Sequence, residues 1–480
     1  MATTALAASP ETRAAQVLAL LAVAIGAALL YAPTRGHIDA TDAFVYTEVT
    51  RYMVQDHAWL DLRHLSPPTE AFRDHLPFGF WPMALAARLG GEGALPPLGV
   101  LYCVATLAIV WRMAARLLDE ASGAVAVLVL ATTDTFFFYG GRASLDPPLA
   151  FWSSAGCYVV LTCRLHARTW LAAGLCTMMA VCVKGPFGGV PFCAAVLARA
   201  WCDRSWRCFV TGALVGALAA SPVAAFLIHD RWWGHLGWWE GYVNRQLIAS
   251  AEGRRSDGTA SLFFPLHELV GRFWPGVPFV VLAVIWLARP WGGMRGDAAL
   301  RRGQLLVVLF ALGVVAILLL PQRKVWNHLI VSFPALAIMA GVGGGPLVAW
   351  LLERRRARDV TLGLVGLATL ALIVSSASGD LAHRLLRSPP CVFSRTLRPT
   401  LQEHSGERLA LVSKTPNWPA LGELAVEQRL NVQLVSFLPG SEESTAPLRT
   451  AVIREGELPA ETGTWHPIAR AEGWVILHRP

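Results

Sequence analysis

Apolar residues fall in long blocks along this chain, and most blocks end in a short cluster of charge, glycine or proline. A block of about 20 apolar residues makes a helix able to cross the roughly 30 Å hydrocarbon layer of a bilayer. Ala14–Ala32 is the first. Leu95–Ala115, Gly123–Tyr139, Pro147–Leu165, Thr169–Val183, Phe187–Ala200, Cys208–Ile228, Phe263–Leu287, Gln304–Leu320, Leu329–Leu352 and Thr361–Ser378 follow. The pattern predicts about 11 to 13 transmembrane helices. Phe78–Leu89 is short and reads as interfacial. No A-x-A cleavage pattern follows the first block, which is therefore expected to stay as a membrane helix.

Two polar stretches interrupt the apolar pattern. The first loop, about residues 33–94, is dense in carboxylates and imidazoles: Asp39, Asp42, Glu48, Asp56, Asp61, Glu70 and Asp74, with His37, His57, His64 and His75. The second, His229–Leu262, carries Trp232, Trp233, Trp238 and Trp239. Tryptophans here fit an interfacial aromatic belt, with sugar stacking open for one or two. Beyond residue 378 the blocks shorten. Leu409–Val412, Val432–Phe437, Ala451–Ile453 and Trp474–Leu477 read as strands, and Leu421–Gln428 as a helix between them. The expected architecture is an α-helical polytopic membrane domain, residues 1–378, followed by a small C-terminal α/β domain, residues 379–480.

Charge assigns the sides. Arginines crowd every second short loop: Arg112 and Arg116, Arg164 and Arg168, Arg199 to Arg207, Arg289 to Arg302, and Arg354 to Arg358. Such loops belong on the cytoplasmic side. The N-terminus is then cytoplasmic, and both long loops and the C-terminal domain face outward.

Composition agrees. Of 480 residues, 54% are hydrophobic and 15% charged, and the mean hydropathy is +0.46. A soluble domain carries nearer a quarter charged residues. The net charge of +8 follows from the arginine-rich loops and needs no nucleic acid partner. All cysteines but Cys391 lie in or beside apolar blocks, and no CxxC pair occurs. They read as small buried hydrophobes rather than zinc or redox ligands.

Candidate chemistry gathers at the outward ends of the spans, where ionisable groups are costly to keep. Asp42, Tyr46 and Val49 share one helical face. Asp42 is a candidate general base just outside the membrane, or else an ordinary helix cap. Arg142 and Asp146 stand at i, i+4 before Pro147-Pro148, as an ion pair on one turn or as part of a site. The lysines are Lys184, Lys324 and Lys414. Lys184 sits in Val-Lys-Gly-Pro; Gln322, Arg323, Lys324, Asn327 and His328 crowd one short loop. Cations on the outward side run against the positive-inside bias, which suggests capture of an anionic group such as a lipid-linked phosphate. Snorkelling to headgroups is the alternative. Asp56, Asp61 and Glu70 read as solvated loop charges, and His267 as packed or interfacial.

These residues resemble the motifs of the bacterial GT-C membrane glycosyltransferases, the group holding aminoarabinose lipid A transferase and protein O-mannosyltransferase. Asp42, Tyr46, Glu48, Arg51 and Met53 match the first-loop motif of that group. Asp74-His75-Leu76-Pro77-Phe78-Gly79-Phe80-Trp81 is similar to its Glu-Lys-Pro-Pro motif. Gly141-Arg142 with Asp146 and Leu149, Val183-Lys184-Gly185-Pro186, and Arg323 to Pro334 follow in order. The resemblance implies transfer of a sugar from a polyprenyl-phosphate donor to a lipid or protein acceptor at the outer face of a bacterial inner membrane. It implies Asp42 as acceptor-activating base and Asp146 as a second catalytic acid. Lys184, Arg323 and Lys324 would hold the leaving phosphate, with Tyr46, Asp74, His75, Arg142 and His328 lining the substrate site. Ala43 stands where the group often has a second acid, and His75 replaces its lysine. Some relatives bind a divalent metal; no convincing ligand set appears here. A protein O-mannosyltransferase-like enzyme, a lipid-sugar transporter and a non-catalytic relative are the rival readings.

Overall fold

The computed structural model describes residues 9–31, 41–63, 71–254, 263–288, 298–320, 330–378, 396–404, 408–413, 424, 431–435, 448–458, 464–471 and 473–479. The helices are α1 (Pro10–Tyr31), α2 (Thr41–Gln55), α3 (Trp81–Gly90), α4 (Leu95–Leu117), α5 (Glu120–Ala131), α6 (Asp134–Gly140), α7 (Asp146–Thr162), α8 (Ala167–Lys184), α9 (Pro186–Cys202) and α10 (Trp206–His229). The chain then makes wide π-helical turns over Asp230–Gly234 and Trp239–Ile248 and a single turn, α11 (Ala249–Ala251). It continues through α12 (Phe263–Arg272), α13 (Val277–Ala288), α14 (Ala298–Leu318), α15 (Phe333–Glu353) and α16 (Arg355–Ser378).

Every expected apolar block falls on one or two of these helices. Among the described residues, six helices are long and apolar enough to cross a membrane, or up to eight if each bent pair counts as one span. Between those six fall the shorter α7, α8 and α9. Two blocks read as single spans are in fact broken. α5 and α6 meet at 65°. At that break Thr132 Oγ1 donates to Leu128 O and Thr133 Oγ1 to Val129 O, both at 2.8 Å, while Asp134 Oδ1 accepts from Thr135 N at 2.5 Å. Side chains that bond the local backbone start and stop helices more readily than they continue them. α12 and α13 meet at 118° across a break that contains Pro275 and Gly276. Proline lacks the donor that a continuous helix requires.

Prolines open several helices at their first or second position: α4, α7 and α9 each have one there. A missing N–H costs nothing at that place. Polar caps supplement them, with Asp119 accepting from Ser122 N at 2.7 Å before α5. The membrane-domain core is continuous from α1 to α15 and takes in Tyr46, Val49 and Met53 from α2. α2 thus lies on the end of the bundle and buries its i, i+3, i+7 face there.

The C-terminal domain adds α17 (Leu397–Glu403) and five strands: β1 (Arg408–Val412), β2 (Asn431–Val435), β3 (Thr450–Arg454), β4 (His466–Ala471) and β5 (Trp474–His478). The sheet order is β2-β1-β3-β5-β4. β1 pairs parallel with β2 and β3, whereas β5 runs antiparallel to β3 and β4. Alternate residues feed two cores. Ala410, Val412, Ala451, Ile453, Val475 and Leu477 face one side; Leu409, Leu411, Val432, Val452 and Ile476 face the other with α17. β4 escaped the sequence pattern because it is mostly exposed and carries Pro467. An edge strand tolerates both. The helix expected over Leu421–Gln428 falls outside the described residues except for Leu424.

Candidate active site

α7 and α8 pack side by side in opposite directions, which brings the start of one to the end of the other. Lys184 Nζ donates to Asp146 Oδ1 at 2.6 Å, and both side chains are buried, 8% and 7% exposed. Ser144 Oγ accepts from Asp146 N at 3.2 Å and donates to Oδ2 at 3.4 Å. Asp146 is therefore ion-paired across helices to Lys184, where sequence spacing suggested a one-turn pair with Arg142. The guanidinium of Arg142 is buried over the Phe138 ring, 3.6 Å from its centroid.

The backbone around Lys184 explains its Lys-Gly-Pro setting. α8 ends at Gly185, whose φ is 60°, and Pro186 begins α9. A Cβ at Gly185 would lie 1.9 Å from Tyr242 Oη. Close approach recurs at Gly79, where a Cβ would lie 2.8 Å from Val183 O. The Pro77–Gly79 turn thus packs directly on the end of α8, so two motifs far apart in sequence meet through backbone that only glycine permits.

α2 supplies the other side. Asp42 is half-buried in its first turn. Burial raises the Asp42 pKa above the usual aspartate range; the charges of Asp146 and Asp74 push the same way and Lys184 pulls it back. Asp42 is thus within electrostatic reach of the Lys184–Asp146 pair and of Asp74. One turn on, Tyr46 Oη lies 2.7 Å from His75 Nε2. Tyr46 is buried, and burial followed by the charge of Asp42 lifts its pKa well above the usual tyrosine value. Asp74 is exposed and accepts from Gln246 Nε2 at 2.5 Å.

A cavity of about 390 Å³ opens here, with Asp74, His75, Lys184, Tyr242 and Gln246 as its polar wall and Phe187, Val190, Leu247, Ile317 and Leu318 opposite. A second cavity of about 630 Å³ shares Pro186, Val190, Tyr242, Leu247 and Ile317 with it. This second space is almost wholly apolar and runs between α8, α9, α10 and α14. Small residues of α10 make the room: Gly212, Ala213, Gly216, Ala217, Ala220 and Ala224. α9 rises about 16 Å from Pro186 to Leu197 along it, at 1.5 Å per residue. A charged mouth therefore continues into an oily groove.

The two long loops lock together above the cavity. Arg73 donates to Asp61 Oδ1 at 2.5 Å and to the carbonyls of Leu62, Phe72 and Leu236 at 2.7, 2.9 and 2.9 Å. It also stacks 4.6 Å from the Trp238 ring centroid. Asp230 accepts from Leu236 N and Trp238 N at 2.8 and 2.7 Å, and Trp238 Nε1 donates to Leu60 O at 3.0 Å. Two expectations are corrected. Asp61 is not a solvated charge, since it pairs with Arg73 and Arg63. Trp238 is not part of an interfacial belt: it is fully buried, whereas Trp232 and Trp233 are exposed as a belt requires.

Asp42, Tyr46, Asp74, His75, Asp146 and Lys184 are thus brought together, with Arg142 close by. Arg323, Lys324 and His328 lie outside the described residues, as do Asp39 and Glu70. Tyr242 and Gln246 were missed in the sequence, where tryptophans drew attention away from the residues that face the cavity. Glu48, named in the first-loop motif without a role, is buried and ion-pairs with Arg51 at 2.6 Å; Arg51 in turn bonds Glu92 at 2.8 Å. Burial lifts the Glu48 pKa to about 7, against the pull of Arg51. His267 is exposed. Among the described residues, no three His, Cys, Asp or Glu side chains converge into a metal-binding group.

Residues 74–229 match a protein family described as dolichyl-phosphate-mannose-protein mannosyltransferase. No curated protein matches the sequence significantly. The structure is similar to that of ArnT from Cupriavidus metallidurans bound to undecaprenyl phosphate, with a TM-score of 0.67 at 17% identity over 95% of this chain and 97% of that one. The apo state of the same ArnT gives 0.69 at 15% identity, with equal coverage. The oligosaccharyltransferase AglB from Archaeoglobus fulgidus, in complex with an inhibitory peptide and a dolichol-phosphate, gives 0.52 at 13% identity, covering 90% of this chain and 69% of that one. The fold is that of the GT-C membrane glycosyltransferases of the ArnT and protein mannosyltransferase type.

Proposed function

We propose that this protein transfers a sugar from a polyprenyl-phosphate donor to a lipid acceptor, in the manner of a lipid A glycosyltransferase, at the outer face of a bacterial inner membrane. The observation that carries the reading is the continuity of a mouth lined by Lys184, Asp74 and His75 with an apolar groove along α9 and α10. A phosphate ester on a long hydrocarbon chain has that same division between charge and oil. The solved ArnT that resembles this chain was captured with undecaprenyl phosphate, which supports the donor class.

In this mechanism Asp42, as carboxylate, takes the proton of the acceptor hydroxyl or amine. The freed lone pair attacks the anomeric carbon from the face opposite the phosphate. The carbon–oxygen bond to phosphate breaks, its electron pair leaves with the phosphate, and the configuration inverts. Lys184 stabilises the charge developing on the leaving oxygen, in a site dry enough to give that interaction weight. Arg323 and Lys324 are proposed to share that role, and His328 and Arg142 to complete the donor pocket. Asp146 holds Lys184 in place through the 2.6 Å contact. His75 stands where relatives carry lysine, and its bond to Tyr46 orients the ring towards the donor phosphate.

The match to a mannosyltransferase family over residues 74–229 favours one second reading, a protein hydroxyl as acceptor. The test is sugar transfer by the purified protein in lipid nanodiscs, with polyprenyl-phosphate sugars as donors and lipid A or peptide as acceptors. Asp42→Asn is expected to lower turnover by about 10²- to 10⁴-fold, the usual weight of a general base, with donor binding retained. Unchanged turnover would remove Asp42 from the chemistry; no transfer by the wild type from any donor would sink the enzymatic reading.

A further inference from the structure

The C-terminal sheet reaches the candidate base through one side chain. Phe44, two residues after Asp42, is 2% exposed, and its neighbours in the core are Leu397, Leu409, Val432, Val452 and Ile476 of the C-terminal domain rather than the membrane bundle. The opposite face of α2, with Tyr46, Val49 and Met53, belongs to the membrane-domain core. Val45 packs partly against both. α2 is therefore gripped between two cores that are otherwise separate. Its first turn, which carries Asp42, has an aromatic anchor on one side and the Tyr46–His75 contact on the other.

We propose that Phe44 is a positioning residue: it ties the first turn of α2 to the C-terminal sheet and so fixes where the Asp42 carboxylate meets the acceptor. The proposal rests on the reading of Asp42 as the base. Its physical ground is that a helix end held on one face rocks about that face, and a second contact removes the freedom. A phenyl ring supplies that contact with large buried area and few rotamers. Phe44 touches no reacting atom; it acts through the backbone that it shares with Asp42. In this role the C-terminal domain completes the site mechanically.

The test compares Phe44→Ala and Phe44→Leu in the full-length protein in nanodiscs, by steady-state sugar transfer and by hydrogen exchange. Phe44→Ala is expected to lower kcat by roughly 10- to 100-fold, the scale of a misplacement near one ångström, with the donor KM unchanged. Phe44→Leu should restore most of the loss. Amides of residues 42–50 should exchange faster in Phe44→Ala, while those of β3 and β5 stay protected. The proposal is overturned by an unchanged kcat, by a rise in donor KM alone, or by equal loss of protection in β3 and β5, which would make Phe44 a folding residue of the sheet. If the wild type transfers no sugar, the functional reading fails by itself, and unchanged exchange over residues 42–50 would then overturn the anchor separately.

Discussion

Two carboxylates of the site, Asp146 and Asp74, are each bonded by a partner distant in sequence, yet in opposite surroundings. Asp146 and Lys184 are buried at the ends of neighbouring helices. Asp74 is exposed and held by Gln246 between two loops. Bond lengths hardly separate them, at 2.6 and 2.5 Å. Surroundings do. In a dry site neither charge of the first pair can be left alone, because an unpaired buried ion carries its full desolvation cost. Around Asp74, water replaces whatever a lost partner gave. The buried pair is thus a unit with a fixed charge, and the exposed pair an adjustable rim.

The largest break in this contrast is Lys184→Met. It should destabilise the protein by about 3–5 kcal/mol by stranding Asp146, and it should abolish measurable transfer. Adding Asp146→Asn should return much of the stability and none of the activity. Thermal unfolding in detergent, read beside the transfer assay, separates the two effects. Recovery of activity in the double variant would mean that Lys184 does not serve the leaving group.

Asp42 feels the charges of Asp146, Lys184 and Asp74, and its titration sharpens the difference between the two pairs. As the proposed base, it must be ionised to accept a proton. Its pKa is raised by burial and by Asp146, with Lys184 opposing. The acid limb of kcat should therefore fall through a pH above the ordinary aspartate range. Activity is full on the alkaline side of that limb and lost as pH drops through it. Removing the charge of Asp146 alone, by Asp146→Asn, should move the limb of any residual activity to lower pH. A limb that does not move would detach Asp146 from Asp42.

The smallest effect belongs to the rim. Gln246→Ala should change stability by no more than about 0.5 kcal/mol, as exposed substitutions do. Its turnover should stay within about twofold of wild type, a shift below 0.5 kcal/mol. A large loss of donor affinity in this variant would show that the Asp74–Gln246 contact closes over bound donor and is part of the binding machinery.

The site was legible in unequal parts. Lys184 stood out because lysine is scarce and this one is followed by Gly-Pro; Asp42 because a carboxylate heads an amphipathic face. Both are patterns within a few residues. The Lys184–Asp146 pair was not legible, because i, i+4 spacing points to Arg142 and only the packing of α7 on α8 brings Lys184 across. Gln246 and Tyr242 carried no local signal at all. The breaks at Thr132–Thr133 and Pro275–Gly276 were written in the chain, yet hydropathy averages straight over them.

By itself the chain determined what each segment must avoid. Long apolar blocks cannot stay in water, alternating runs after residue 378 must close into a sheet, and charges must gather at the ends of spans, all consequences of composition over a few turns. Tertiary structure alone decided which charge meets which. That choice depends on helix packing across dozens of residues, on glycines that let backbones touch, and on a sheet that grips α2 through Phe44. Local sequence states the cost of burying an ion, and the fold supplies the partner that meets it.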